Sequence, residues 1–204
     1  MIAIVDYDAG NTFNVQKAFA YLGVETVLTA DKGTVLSADG VVLPGVGAFR
    51  AAMDTLIDRN LVGVLQEVAE KGIPLLGICL GMQLLFDSST EYGLTDGLGL
   101  IPGTVEALPA DMDLMIPHMG WNSNRVTNKD SIFSDIDGKY TYFVHSYYVK
   151  CDDQYITTTA DYGIAVPGIV EKNNVYGMQF HPEKSATVGL GLLKTFVSIC
   201  KARS

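Results

Sequence analysis

Cys79 stands between two glycines in Gly77-Ile78-Cys79-Leu80-Gly81, directly after the apolar run Ile73-Pro74-Leu75-Leu76. Glycines there permit a sharp turn from strand into helix that a side chain would obstruct. Such a turn lifts the sulfur above the end of a sheet and aims the amide of Leu80 at the same place. A thiol beside a backbone donor at a helix start is half of an acyl-transfer site. The other half is Gln179-Phe180-His181-Pro182-Glu183. A cysteine nucleophile needs a base, and the base needs an orienting group. Positions i and i+2 of an extended segment share a face, and Pro182 biases His181 toward extended geometry. One ring nitrogen of His181 then faces the thiol while Glu183 holds the other, which favours imidazolium and helps the sulfur ionise. A lone cysteine in an apolar segment is usually a small buried hydrophobe. The two motifs together, each after a strand, define a candidate Cys-His-Glu triad.

These residues need a scaffold, and the first half of the chain supplies one. Strands at 2–7, 24–29, 40–43 and 73–78 alternate with helices at 11–22, 48–59 and 61–71. Asn11 is the expected cap of the first helix, and Gly23 its stop. Apolar strands alternating with helices imply a parallel sheet covered on both faces. From about residue 98 the rhythm changes to short alternating segments at 104–108, 140–148, 156–159, 163–170 and 175–180. This is an antiparallel section appended to the sheet. A closing helix spans 190–201, with Leu190, Leu193, Phe196, Val197 and Cys200 at core spacing. The expected fold is α/β: a mostly parallel open sheet flanked by helices, with an appended antiparallel β section. No repeat or linker divides it, so residues 1–204 form one expected domain. Open parallel sheets bind ligands at the carboxyl ends of their strands, where Cys79, the 44–47 loop and His181 all fall.

Composition narrows the partners. With 23 acidic and 14 basic residues the net charge is −9, and no Lys/Arg-rich block interrupts it. Nucleic-acid binding is disfavoured. No apolar run approaches the ~20 residues of a membrane span, and Met1-Ile2-Ala3-Ile4-Val5-Asp6 lacks a basic leader. Three cysteines make no disulfide framework, and a reducing cytoplasm suits them. Cys200 is expected to pack; Cys151 lies beside Asp152 and Asp153, whose charge raises a thiol pKa. Three histidines without ligand spacing give no metal site, and no cofactor is implied.

Pro44-Gly45-Val46-Gly47 ends a strand and opens a helix. No Gly-Lys-Ser/Thr follows, so a second oxyanion donor is a better reading than a phosphate cradle. Gln83 lies one helical turn beyond Cys79 and can meet a polar substrate. In the strand 143–148, alternation sets Ser146 and Tyr148 on one face, His145 and Tyr147 on the other. His145 is a rival base, but no carboxylate adjoins it in sequence. His118 falls in a glycine-containing loop, Pro117-His118-Met119-Gly120-Trp121-Asn122, with the only tryptophan.

Gly77-Ile78-Cys79-Leu80-Gly81-Met82-Gln83 with His181-Pro182-Glu183 resembles the class I glutamine amidotransferases, whose glutaminase triad is Cys-His-Glu. Asp6-Tyr7-Asp8-Ala9-Gly10-Asn11, the 44–49 and 117–122 runs and residues 143–147 narrow the resemblance. They look like the branch formed by glutaminase subunits of imidazole glycerol phosphate synthases, of histidine biosynthesis. The resemblance implies Cys79 as nucleophile, His181 as base and Glu183 as orienter. It implies amides of Leu80 and Val46 or Gly47 as oxyanion hole, and Gly47, Gln83, Ser146 and Tyr147 as glutamine-binding residues. It implies Trp121, Asn122, Tyr142 and Lys184 near a partner and the ammonia exit. In relatives threonine often stands where Ser146 is; the hydroxyl is kept.

A chain this size, spent on one hydrolytic site, leaves no room for a second site that uses the ammonia, so a separate synthase is expected. By resemblance it is a (β/α)₈-barrel cyclase acting on a phosphorylated ribulosyl-formimino aminoimidazole carboxamide nucleotide. Three rival readings stay open: a stand-alone cysteine hydrolase, an amidotransferase of another pathway, and a glutamine sensor or scaffold with a dead site. The first expects high activity without a partner. The 117–122 run argues against the second through resemblance alone, and the intact triad argues against the third.

Overall fold

The structure, a computed structural model, describes residues 1–111 and 113–203. Its first half holds β1 (Ile2–Val5), α1 (Thr12–Tyr21), β2 (Thr26–Thr29), α2 (Lys32–Leu36), β3 (Gly40–Leu43), α3 (Phe49–Asp58), α4 (Val62–Glu70), β4 (Leu75–Ile78) and α5 (Leu80–Leu84). The second is mostly strand: β5 (Phe86–Ser89), β6 (Thr95–Asp96), β7 (Ile101–Ala107), β8 (His118–Ser123), β9 (Arg125–Val126), β10 (Tyr140–His145) and β11 (Tyr147–Lys150). It ends in β12 (Ile156–Asp161), β13 (Ala165–Lys172), β14 (Val175–Met178) and α6 (Ala186–Arg203).

The main sheet has eight strands in the order β2-β1-β3-β4-β14-β13-β12-β9. From β2 to β14 neighbours run parallel; β13, β12 and β9 continue antiparallel. Successive side chains of a strand point to opposite faces, and both faces here are apolar. Ala3, Val5 and Leu43 pack with α3, α4 and the strands β5 and β7. Ile2, Ile4 and Val42 pack with Phe19 of α1, Phe143 of β10 and Phe196 of α6. Cys200 is buried there beneath Gly40, where an added Cβ would sit 2.2 Å from its sulfur. This is the packing role expected of it.

Several local expectations change. Asn11 precedes α1 without making a side-chain cap. The short α2 was not legible; its cap is Asp31, which accepts from the Thr34 amide at 2.8 Å. Strands β5, β6, β7 and β11 form a second sheet, ordered β11-β7-β5-β6. Residues 117–122 are no loop: from His118 they form β8, paired antiparallel with β10. The single strand expected over 140–148 breaks at Ser146, because β10 pairs with β8 while β11 pairs with β7 in the other sheet. Alternation therefore fails across the break.

Candidate active site

Cys79 sits directly after β4 and directly before α5, with φ 55° and ψ −113°. A non-glycine residue there carries strain of about 1–3 kcal/mol. The surroundings leave it no alternative. A Cβ on Gly77 would lie 2.5 Å from the Gly81 carbonyl oxygen, and one on Gly81 only 1.9 Å from that of Leu43. Both glycines are thus required by close backbone approach, and the turn between them must be tight. The Cys79 amide is tied to the Met178 carbonyl of β14 at 2.8 Å, which brings the His181 segment alongside.

His181 Nδ1 meets Glu183 Oε1 at 2.7 Å, and both side chains are almost fully buried. The pairing arises differently from the extended i, i+2 geometry expected. His181 is extended, but Pro182–Lys184 closes as a 3₁₀ turn that swings Glu183 back under the ring. Burial alone would lower the pKa of His181; hydrogen bonding to Cys79 and to Glu183 outweighs it and raises the value to about 9. The main chain holds the ring in place. The His181 amide donates to the Tyr142 carbonyl at 2.9 Å, and the Ser185 hydroxyl donates to the His181 carbonyl at 2.6 Å.

Cys79 and His181 open on a cavity of about 470 Å³, also lined by Val46, Gly47, Leu80, Gln83, Glu91, Val144, His145, Ser146 and Tyr147. That volume suits a small-molecule substrate. Gln83 Nε2 donates to the Tyr147 carbonyl at 3.0 Å and contacts Gln179 Oε1 at 3.1 Å. The break at Ser146 turns His145, Ser146 and Tyr147 all onto this cavity. Val46 and Gly47 lie on its rim, Val46 47% exposed and Gly47 at φ +102°. The preceding Pro44 is held: the buried Tyr7 hydroxyl donates to its carbonyl.

Of the residues expected at a partner surface, Trp121 and Tyr142 oppose each other in the β8–β10 pair with rings 6.2 Å apart; Trp121 is 53% exposed. Lys184 is exposed. Asn122 is turned inward by its bonds to the Asp161 carbonyl and His118. His145, the rival base, is buried, and burial first, then His118, lowers its pKa to about 3.

Glu91 was not foreseen. Its Oε2 accepts from the Phe49 amide at 2.8 Å, capping α3 from a distant loop. The one sequence signal was indirect: the helix opening at 48–49 has no Ser, Thr, Asp or Asn to cap it. Burial, then Asp152 and Asp153, raises Cys151 to about 11, the direction expected. Among the described residues no group of three His, Cys, Asp or Glu could hold a metal ion, and no helix is long and apolar enough to cross a membrane.

Residues 3–199 match the family Glutamine amidotransferase class-I. The chain belongs to that family. It is 58% identical over 202 residues to the imidazole glycerol phosphate synthase subunit HisH of Lactiplantibacillus plantarum, covering 99% of this chain and 97% of that one. To the subunit of the same name from Listeria monocytogenes it is 49% identical over 205 residues, covering 99% of each. A solved structure described as a glutamine amidotransferase superposes with a TM-score of 0.78, covering 98% of this chain and all of that one; at 17% identity the likeness is one of fold. The amidotransferase fold accounts for the architecture above: a largely parallel sheet between helices, with antiparallel strands beyond it.

Proposed function

We propose that this chain is the glutaminase subunit of an imidazole glycerol phosphate synthase, a single domain over residues 1–204. It hydrolyses glutamine and hands the ammonia to a separate cyclase for histidine biosynthesis. The observation that carries the chemistry is the buried His181–Glu183 pair seated against Cys79 at the mouth of the cavity. Near-full-length identity to subunits of that synthase carries the pathway and the existence of a cyclase partner.

In this reading the Cys79 sulfur attacks the side-chain carboxamide of glutamine. The oxyanion meets the amide of Leu80, which as the first residue of α5 has no acceptor within the helix, and that of Val46 or Gly47. His181 gives its proton to the departing ammonia, leaving a γ-glutamyl thioester. Water then attacks the thioester, with His181 as base and Glu183 holding the ring. Losing one oxyanion donor in such a site costs about 10²–10³ in rate. Gly47, Gln83, Ser146 and Tyr147 hold the substrate. Glu91 is the only carboxylate among the cavity's described lining residues, and it suits the substrate's ammonium group.

Ammonia released into water takes up a proton and ceases to be a nucleophile, so the product must leave through a sealed interface. The paired rings of Trp121 and Tyr142, with Lys184 nearby in sequence to His181, are the proposed docking surface for a (β/α)₈-barrel cyclase. The three cysteines suit a reducing cytoplasmic site. The test is glutamate release by the chain alone, with its cyclase, and with cyclase plus acceptor nucleotide. Strong stimulation in the last case is expected. Full activity of the isolated chain would favour a stand-alone hydrolase, and Cys79→Ala turning over near wild type would remove the nucleophile assignment.

A further inference from the structure

Two buried histidines take no part in the triad. His118 and His145 are register partners across the β8–β10 pair, with His118 Nδ1 2.9 Å from His145 Nε2. His145 Nδ1 lies 2.8 Å from the Tyr147 carbonyl oxygen, and His118 Nε2 lies 3.2 Å from Asn122 Nδ2.

Every proton in this chain of contacts can be placed. The main chain orients the Asn122 amide: Oδ1 accepts from the Ser123 N–H at 2.8 Å, and Nδ2 donates to the Asp161 carbonyl at 2.8 Å. The nitrogen therefore faces His118, whose Nε2 must accept. A neutral histidine keeps one ring proton, so it sits on His118 Nδ1 and is donated to His145 Nε2. From the other end, the Tyr147 carbonyl only accepts, so His145 carries its proton on Nδ1 and leaves Nε2 open. The two ends are fixed by separate main-chain groups, and they agree on one direction. An added proton on either ring would break a link. Burial accordingly lowers His118 to about 4, and burial with His118 lowers His145 to about 3.

The relay begins on the strand of Trp121 and ends at the substrate cavity. There the Tyr147 carbonyl also receives the Gln83 amide, and both residues line the cavity. We propose that Asn122, His118 and His145 form a one-way hydrogen-bond relay that fixes the Tyr147 carbonyl and the Gln83 amide as a wall of the glutamine cavity. His118 and His145 are then positioning residues for substrate binding. The proposal rests on this cavity being the glutamine site. A packing role alone is the competing account, because the His118 ring stacks between Phe143 and Tyr162, with centroids 4.7 and 4.0 Å away.

His118→Phe keeps that stack and removes both nitrogens; His118→Asn loses the ring but restores a donor near Nδ1. In the full chain bound to its cyclase, His118→Phe is expected to raise the glutamine KM about tenfold, the worth of one lost hydrogen bond, with kcat changed less than about threefold. His118→Asn is expected to recover most of the KM. An unchanged KM in His118→Phe overturns the relay, and so does equal damage in both variants. A second measurement needs no variant. With ¹⁵N-histidine in the same complex, both rings must show a protonated Nδ1 and a bare Nε2 at neutral pH; a proton on either Nε2 overturns the relay. Wild-type glutamate release and labelling of Cys79 by a glutamine-mimicking electrophile are followed alongside. If those fail, the cavity assignment falls; if they hold and the KM is unmoved, the relay alone falls.

Discussion

Glu183 holds His181 with one carboxylate oxygen and buries the other, Oε2, without a hydrogen-bond partner. Burying an ionised carboxylate is unfavourable unless a charge lies beside it, so the pair is committed to an imidazolium. Glu183→Gln keeps the shape and removes the charge. In the complex it is expected to lower kcat by about 10²–10⁴, in the range seen when an orienting carboxylate is neutralised, with little change in glutamine KM. A loss confined to KM would count against the orienting role. The histidines also set a pH dependence of stability. For His181 burial alone would lower the pKa, but hydrogen bonding to Cys79 and Glu183 outweighs it and lifts the value from 6.5 to about 9; it adds stability that is complete below about 6.5 and lost as pH climbs through 9. His118 and His145, lowered by burial to about 4 and 3, act oppositely: their contribution is present above 6.5 and lost as pH falls through those values. Denaturation midpoints measured across this range should peak near neutrality, and Cys79→Ala should flatten the alkaline decline. At this scale the candidate triad could be named because a glycine pattern and a proline surround its members in sequence. Glu91, Tyr7 and the two-histidine relay were not, since each acts on a residue far along the chain.

The elbow and the 44–47 loop divide the labour at the level of elements. Gly81 touches β3 so closely that Gly81→Ala would drive a methyl into the Leu43 carbonyl. A destabilisation of about 3 kcal/mol or more is expected, the upper range for overpacking, seen as a lowered denaturation midpoint. The loop is gripped at Pro44 and has open space around Gly47. Tyr7 grips the Pro44 carbonyl, while nothing lies within 4 Å of a Cβ built on Gly47. Tyr7→Phe removes only the grip, a buried hydrogen bond worth about 1 kcal/mol. It is expected to lower kcat for glutamine roughly fivefold with KM held, and an unaltered kcat would show that the loop needs no anchor there. Apart from the short α2, helix positions were legible from apolar spacing and glycine stops. Their caps were less so, because α3 takes its cap from Glu91 and α1 has no side-chain cap.

Across the whole molecule, the proposed active site and the proposed partner surface are joined by short main-chain links. The Tyr142 amide donates to Ser185 Oγ at 3.0 Å, while its carbonyl accepts from the His181 amide at 2.9 Å. The strand pair that presents Trp121 is therefore tied directly to His181. Trp121→Ala is expected to weaken the complex about 30-fold or more, the scale of an aromatic hot spot. The midpoint of the isolated chain should stay put, because the ring is half exposed. Titration calorimetry against the cyclase checks it, and unchanged affinity would move the docking surface elsewhere.

From the order of residues alone came the sheet's character, the thiol's elbow and the His181–Glu183 pair. All three are encoded locally, in apolar runs of strand length, in glycines that close approach demands, and in neighbours two positions apart. Only the tertiary structure decided that the 140–148 segment splits between two sheets, that residues from 118 pair as a strand, and that Glu91 and His145 line one cavity. Those outcomes depend on which strand edge a segment meets, and strand pairing between distant segments leaves no periodicity in the chain itself.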